Sequence, residues 1–226
     1  MDRNLRSQDR GPARSRLASL TLGLALAVVA LPSCAPTFSE LQSARLAGPG
    51  RWEVTPSYSS VSFSDEGERE KVQDHFGAQL ATGLSDRTDL RFRYEYVDVE
   101  GEAVHAFGMG PKFGLRPERI AFYIPVGTAV GQDLEPWDLL QIHPTVLVTL
   151  PITPQVDVNA SGKAILWKDR DIDDLLAFNL GLGIGPDLRK WAFRPEAGVL
   201  VNPGEDGRFW HLSAGFTYYV GEGGRR

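Results

Sequence analysis

Residues 76–96, "FGAQLATGLSDRTDLRFRYEY", decide the fold. One parity carries Phe76, Ala78 and Leu80, then Leu90, Phe92, Tyr94 and Tyr96. The other carries Gln79, Arg91, Arg93 and Glu95. Side chains along a strand point alternately to opposite faces, so this is a hairpin with one greasy face and one charged face, turned at "SDRTD". Alternation alone leaves open which face is outside.

The same period of two recurs along the chain. Ten candidate strands lie near 51–63, 74–84, 89–98, 103–115, 120–130, 139–150, 155–167, 175–185, 191–201 and 209–220. These runs are long for soluble proteins, where strands of about 5–6 residues are the norm, and suit a tilted membrane-spanning strand of about 9–11. The connections alternate in kind. "SDRTD", "RPER", "PITPQ" and "DLRK" are tight, whereas "SDEGEREKVQD", "DVEGE", "GQDLEPWD", "KDRDIDD" and "NPGEDGR" are longer and acidic, with 17 acids against 5 bases.

Two further features favour lipid on the greasy side. The polar parity is rich in glycine (Gly77, Gly108, Gly110, Gly127, Gly181, Gly183, Gly198 and Gly215 among them), which makes room inside a narrow barrel but weakens a solvent-facing strand. All five tryptophans fall near strand ends: Trp52 and Trp191 at one, Trp137, Trp167 and Trp210 at the other, as in two interfacial girdles. Parity then places Glu53, Arg91, Arg93, Glu95, Lys112, Asp157, Lys163, Arg194 and Glu196 in the lumen, five bases against four acids. Buried charges require partners, so an ion-pair network across a largely closed lumen is expected.

From Arg51 to Val220 the chain resembles the small bacterial outer-membrane β-barrels of the OmpA-like and OmpX-like kind. The resemblance is one of pattern and implies an all-β, up-and-down antiparallel transmembrane barrel of ten strands with periplasmic short turns. It also implies insertion by the barrel-assembly machinery and contact with outer-membrane lipid and lipopolysaccharide.

Outward from the barrel, residues 1–33 have the basic start and apolar run of an export signal. "Leu31-Pro32-Ser33-Cys34" resembles the bacterial lipoprotein processing site, which implies acyl chains such as palmitate on Cys34, the only cysteine. Residues 34–50 read as lipidated N-terminus and tether, 51–220 as barrel and 221–226 as a polar tail. An even strand number puts the termini on the short-turn side, so the anchor is expected on the periplasmic side.

Chemistry is sparse. The formal charge of −5 gives no general basic footprint for nucleic acid. "Trp210-His211-Leu212-Ser213" has the His-x-Ser spacing of outer-membrane phospholipases and lipid A deacylases, but the pair faces the lumen by parity and no third member is apparent. His75, His143 and His211 face inward from strands too far apart to share a metal, and "DRDIDD" (Asp169, Asp171, Asp173, Asp174) lacks calcium-loop spacing. No metal, cofactor or catalytic residue is expected. The function expected is a structural, surface-interaction or very-small-solute role. The alternatives are a lipid hydrolase using His211 and Ser213, or a soluble, lipid-tethered barrel that buries the Phe92/Tyr94/Tyr96 face around an apolar ligand.

Overall fold

The computed structural model describes residues 38–99, 101–132 and 134–221, among which there are twelve strand segments and no α-helix. They are β1 (Trp52–Asp65), β2 (Glu68–Ser85), β3 (Thr88–Val99), β4 (Glu102–Arg116), β5 (Ile120–Tyr123) and β6 (Val126–Gly131), then β7 (Gln141–Ile142), β8 (Thr145–Thr153), β9 (Val156–Trp167), β10 (Leu175–Ile184), β11 (Trp191–Val201) and β12 (Arg208–Val220). β5 and β6 are two parts of one span, and β7 and β8 of another. The breaks fall at Pro125 and Pro144, which have no N–H to give to a ladder. Twelve segments therefore make ten spans.

Every span pairs antiparallel with the next. β9 pairs with β10, and β12 returns to β1 through registers such as Ser57 with Gly215 and Val61 with His211, so the ring is closed. Closure removes the sheet edges and satisfies the backbone between strands, the condition for a sheet to cross hydrocarbon.

The greasy parity is outside. Phe92 and Tyr94 are each 39% exposed and Phe216 44%, whereas Arg93 is 8% and Lys163 3% exposed. This excludes the arrangement required by the soluble alternative, in which the Phe92 face would be the core. The outward aromatics also touch one another: Tyr58, Phe76 and Tyr96 form one tilted series, and Trp191 stacks on Phe216 at 5.3 Å.

Two of the expected long loops are not loops. β1 and β2 are joined by Glu66 and Gly67 alone, both left-handed (φ 47° and 89°), the geometry of a primed two-residue hairpin turn. β3 and β4 likewise end at Val99 and begin at Glu102. Charged residues such as Glu68, Arg69 and Glu70 stay in a ladder here because that part of the hairpin is exposed on both faces. Genuine longer connections remain between β6 and β7, β9 and β10, and β11 and β12.

Candidate functional site

The lumen is the site, and its occupant is the chain itself. Residues 1–33, Cys34 and residues 222–226 lie outside the described residues. Residues 38–47, read from sequence as the second part of a tether, instead fill the space inside the ring. Phe38, Ser39, Glu40, Leu41, Gln42, Ser43, Ala44 and Ala47 are each buried to at least 97%.

The wall binds this segment group by group. Asp89, at the foot of β3, accepts the Ala47 amide at 2.8 Å. Arg45 pairs with Asp157, next to the short turn between β8 and β9. Lys112 donates to the carbonyls of Ser43 (2.6 Å) and Arg45 (2.8 Å), and Thr149 Oγ1 accepts the Ala44 amide at 2.7 Å. Higher up, Lys163 pairs with Glu40 at 3.0 Å, and Gln79 donates to the Glu40 carbonyl at 2.8 Å. The amides of Glu40 and Leu41 donate to the two oxygens of the Glu196 carboxylate at 2.7 and 2.9 Å, and Leu41 itself is left-handed (φ 49°). Successive amides converging on an anion form a nest. Arg93 holds the Ser39 carbonyl and hydroxyl, and Asn179 Nδ2 donates to the Phe38 carbonyl at 3.2 Å.

All nine residues assigned to the lumen from parity are buried on the inner face. Their partners differ from a simple cross-lumen network. Arg91–Glu53 (2.8 Å) and Arg93–Glu95 are wall-to-wall pairs, and His75 Nδ1 adds a bond to Glu95 at 2.9 Å. Lys112, Asp157, Lys163 and Glu196 engage the inserted segment. Arg194 donates from Nε to Thr217 at 2.8 Å, while its two terminal nitrogens, with Arg91 Nη1 and Tyr219 Oη, have no hydrogen-bond partner among the described residues. Such buried polar atoms in a lumen are positions suited to ordered water. The sequence reading missed Glu40, Arg45, Asp89, Thr149 and Asn179.

Glycine on the inner wall fits the segment and its anchors. A Cβ on Gly83 would lie 1.9 Å from the Gly48 carbonyl oxygen, and one on Gly183 would lie 2.2 Å from Asp157 Oδ1. On Gly215 it would come within 3.3 Å of Leu41.

Ser213 and His211 acquire a third member. His211 Nδ1 lies 2.7 Å from Ser213 Oγ, and Nε2 lies 2.9 Å from Asn179 Oδ1. Because Asn179 Nδ2 faces the Phe38 carbonyl, Oδ1 is the atom assigned to His211, which places the ring proton on Nε2 and leaves Nδ1 to accept from serine. The order is that of a hydrolytic relay. Its setting is not: His211 is 2% exposed, and Phe38 packs 6.4 Å from its ring centre. His75 and His143 are each tied locally, to Glu95 and Gln73 and to Gln141, and do not meet on one point.

The tryptophans divide. Trp52, Trp137 and Trp210 are exposed and Trp191 partly so, but Trp167 is 8% exposed. It shares the inward parity of Lys163 and Ile165 on β9, so it belongs to the lumen's upper lining and not to a girdle.

No family model and no curated protein matches the chain. Solved structures similar to it include Ail, the attachment invasion locus protein of Yersinia pestis, at 11% identity and TM-score 0.37, over 76% of this chain and 99% of that one. The translocator domain of autotransporter NalP from Neisseria meningitidis is similar at 7% identity and TM-score 0.42, over 91% and 97%. The N-terminal β-barrel domain of Pseudomonas aeruginosa OprF is similar at 10% identity and TM-score 0.30, over 76% and 99%. The fold assignment rests on the closed hydrogen-bonded ring.

Proposed function

We propose that this protein is a lipid-anchored outer-membrane β-barrel with a charged lumen kept closed by its own N-terminal segment. Its role is structural or surface-interacting, and any passage is limited to very small solutes. The observation that carries this reading is the burial of residues 38–47 against Lys112, Asp157, Lys163 and Glu196. Outer-membrane lipid and lipopolysaccharide are its partners at the wall, and the barrel-assembly machinery during insertion. A hydrolase is disfavoured because Ser213 faces the lumen behind Phe38, away from any membrane lipid.

Single-channel recording in planar bilayers tests it. The full chain is expected to give no stable open level, and a variant lacking residues 38–47 is expected to give one. A large, stable conductance from the full chain would sink the proposal.

A further inference from the structure

Charge is divided between the two ends of the ring. The short-turn end carries six bases on its rim: Arg51, Arg87, Arg116, Arg119, Arg189 and Lys190. Only three acids share that rim, Asp86, Glu118 and Asp187, and none of the nine residues is buried. Glu118 and Asp187 pair with Arg189 and Lys190, which leaves one acid, Asp86, against Arg51, Arg87, Arg116 and Arg119. The fourth short turn, Pro154 and Gln155, is uncharged. At the opposite mouth the sign is reversed. There the described residues of the long connections carry 15 acids against 5 bases.

The rim bases stand where the lipid-facing surface stops. Arg51 and Lys190 directly precede Trp52 and Trp191, the first residues of β1 and β11. Arg116 closes β4 directly after Leu115, and Arg119 directly precedes Ile120, the first residue of β5. Trp52 and Leu115 are exposed, and Trp191 and Ile120 half-buried. Successive residues of a strand are about 3.3 Å apart, so each of these charges begins one step beyond an apolar side chain at the edge of the hydrocarbon. Long basic side chains lay their stems on apolar surface and keep the charged head in the polar layer. The Arg87 carbonyl accepts the Gly114 amide at 2.9 Å, which joins the β2–β3 turn to the end of β4 and makes Arg87, Arg116 and Arg119 one stretch of rim.

We propose that this rim is a binding surface for the headgroups of anionic phospholipid, centred on Arg87, Arg116 and Arg119. The proposal rests on the outer-membrane reading above, in which the short turns meet the periplasmic leaflet, and it adds the headgroup class that this leaflet supplies. A guanidinium presents paired N–H donors to a phosphate. A zwitterionic headgroup has a phosphate too, but its own cation cancels the field, so the rim's net positive charge selects lipids with net negative charge. Each base held at an anionic membrane surface strengthens the association about fivefold. The attraction dies away over a screening length of about 10 Å at 0.1 M salt and about 3 Å at 1 M. The acidic long-loop mouth meets the same headgroups with repulsion, so the preference belongs to one end of the barrel.

The test folds the full chain, and a variant carrying Arg87→Gln, Arg116→Gln and Arg119→Gln, into vesicles of two compositions. One is phosphatidylcholine alone, and the other is phosphatidylcholine mixed with phosphatidylglycerol. Folding constants come from denaturant titration in each. Repulsion of the acidic loops by phosphatidylglycerol is common to both proteins, so the quantity read is how much more the substitutions cost in mixed vesicles than in phosphatidylcholine. At low salt that excess is expected to be about 100-fold for the three bases together, and it should largely vanish at about 1 M salt. A second variant with lysine at the same three positions keeps the charge and is expected to follow the unmodified chain. Equal losses in the two vesicle types, an excess that salt leaves unchanged, or a lysine variant that behaves like the glutamine one would each overturn the proposal. An unmodified chain that forms no protease-resistant folded species in either vesicle would instead overturn the membrane-barrel reading beneath it.

Discussion

A single carboxylate, Glu40, ties together more of the lumen than any residue of the wall. Its carboxylate pairs with Lys163 and accepts from Gln42 at 2.6 Å, its amide meets Glu196, and its carbonyl meets Gln79. Removing one member of a buried pair costs about 3–5 kcal/mol, because the remaining charge has lost its compensation. Lys190 offers the contrast, since its pair with Asp187 at 3.7 Å is exposed on both sides and such pairs contribute about 0–1 kcal/mol. Glu40→Ala is therefore expected to destabilise the folded barrel by about 3–5 kcal/mol and Lys190→Ala by less than about 1 kcal/mol, measured by denaturant titration in lipid vesicles. Equal effects would show that Glu40 is not buried among charges. From sequence the nine wall residues were legible by parity, since each sits on a strand whose alternation gives its face. Glu40 and Arg45 were not, because they lie on a segment without periodicity whose partners are far away in the chain (Glu40 to Glu196 is a separation of 156).

At the scale of the strand, the outer wall is what makes this a membrane protein. Leu180, the sixth of ten residues in β10, is 61% exposed, and its neighbours Leu182 and Phe178 share that face. An arginine near the midplane of a barrel's lipid face costs about 2–4 kcal/mol, whereas on a water-facing strand a surface substitution stays within about 0.5 kcal/mol. Leu180→Arg is accordingly expected to lower folding stability in vesicles by about 2–4 kcal/mol, and a neutral result would place this face in water. All ten spans were legible because each repeats the period of two for ten residues or more. The ends were harder. "SDEGEREKVQD" reads as a loop by charge, yet Glu66 and Gly67 accept left-handed backbone and let β1 and β2 run on in paired register beyond it. Trp167 was misplaced for the opposite reason: nearness to a strand end suggested a girdle, while its parity with Lys163 and Ile165 had already fixed it inward.

For the whole molecule, width and filling are coupled. A ring of about eight strands is just filled by its own side chains. Ten spans leave room for something more, and residues 38–47 take it; Gly215 lies against Leu41 of that segment, while Gly181, Gly183 and Gly198 admit the wall's own Glu196, Asp157, and Asn179 and His211. The recognition is ionic and directional, with Glu40 meeting Lys163 and Arg45 meeting Asp157. It is also separable from the covalent link to β1. If complementarity to the wall, and not mere tethering, closes the lumen, then a synthetic peptide of residues 38–47 should block the conductance of the barrel that lacks them, with the blocked fraction rising with peptide concentration. A peptide carrying Glu40→Arg and Arg45→Glu has the same composition and net charge but sets like charges against Lys163 and Asp157, and it should fail to block at the same concentration. Equal block by both peptides in planar-bilayer recordings would reduce the segment to a space-filling stopper and remove the wall charges from any role in holding it.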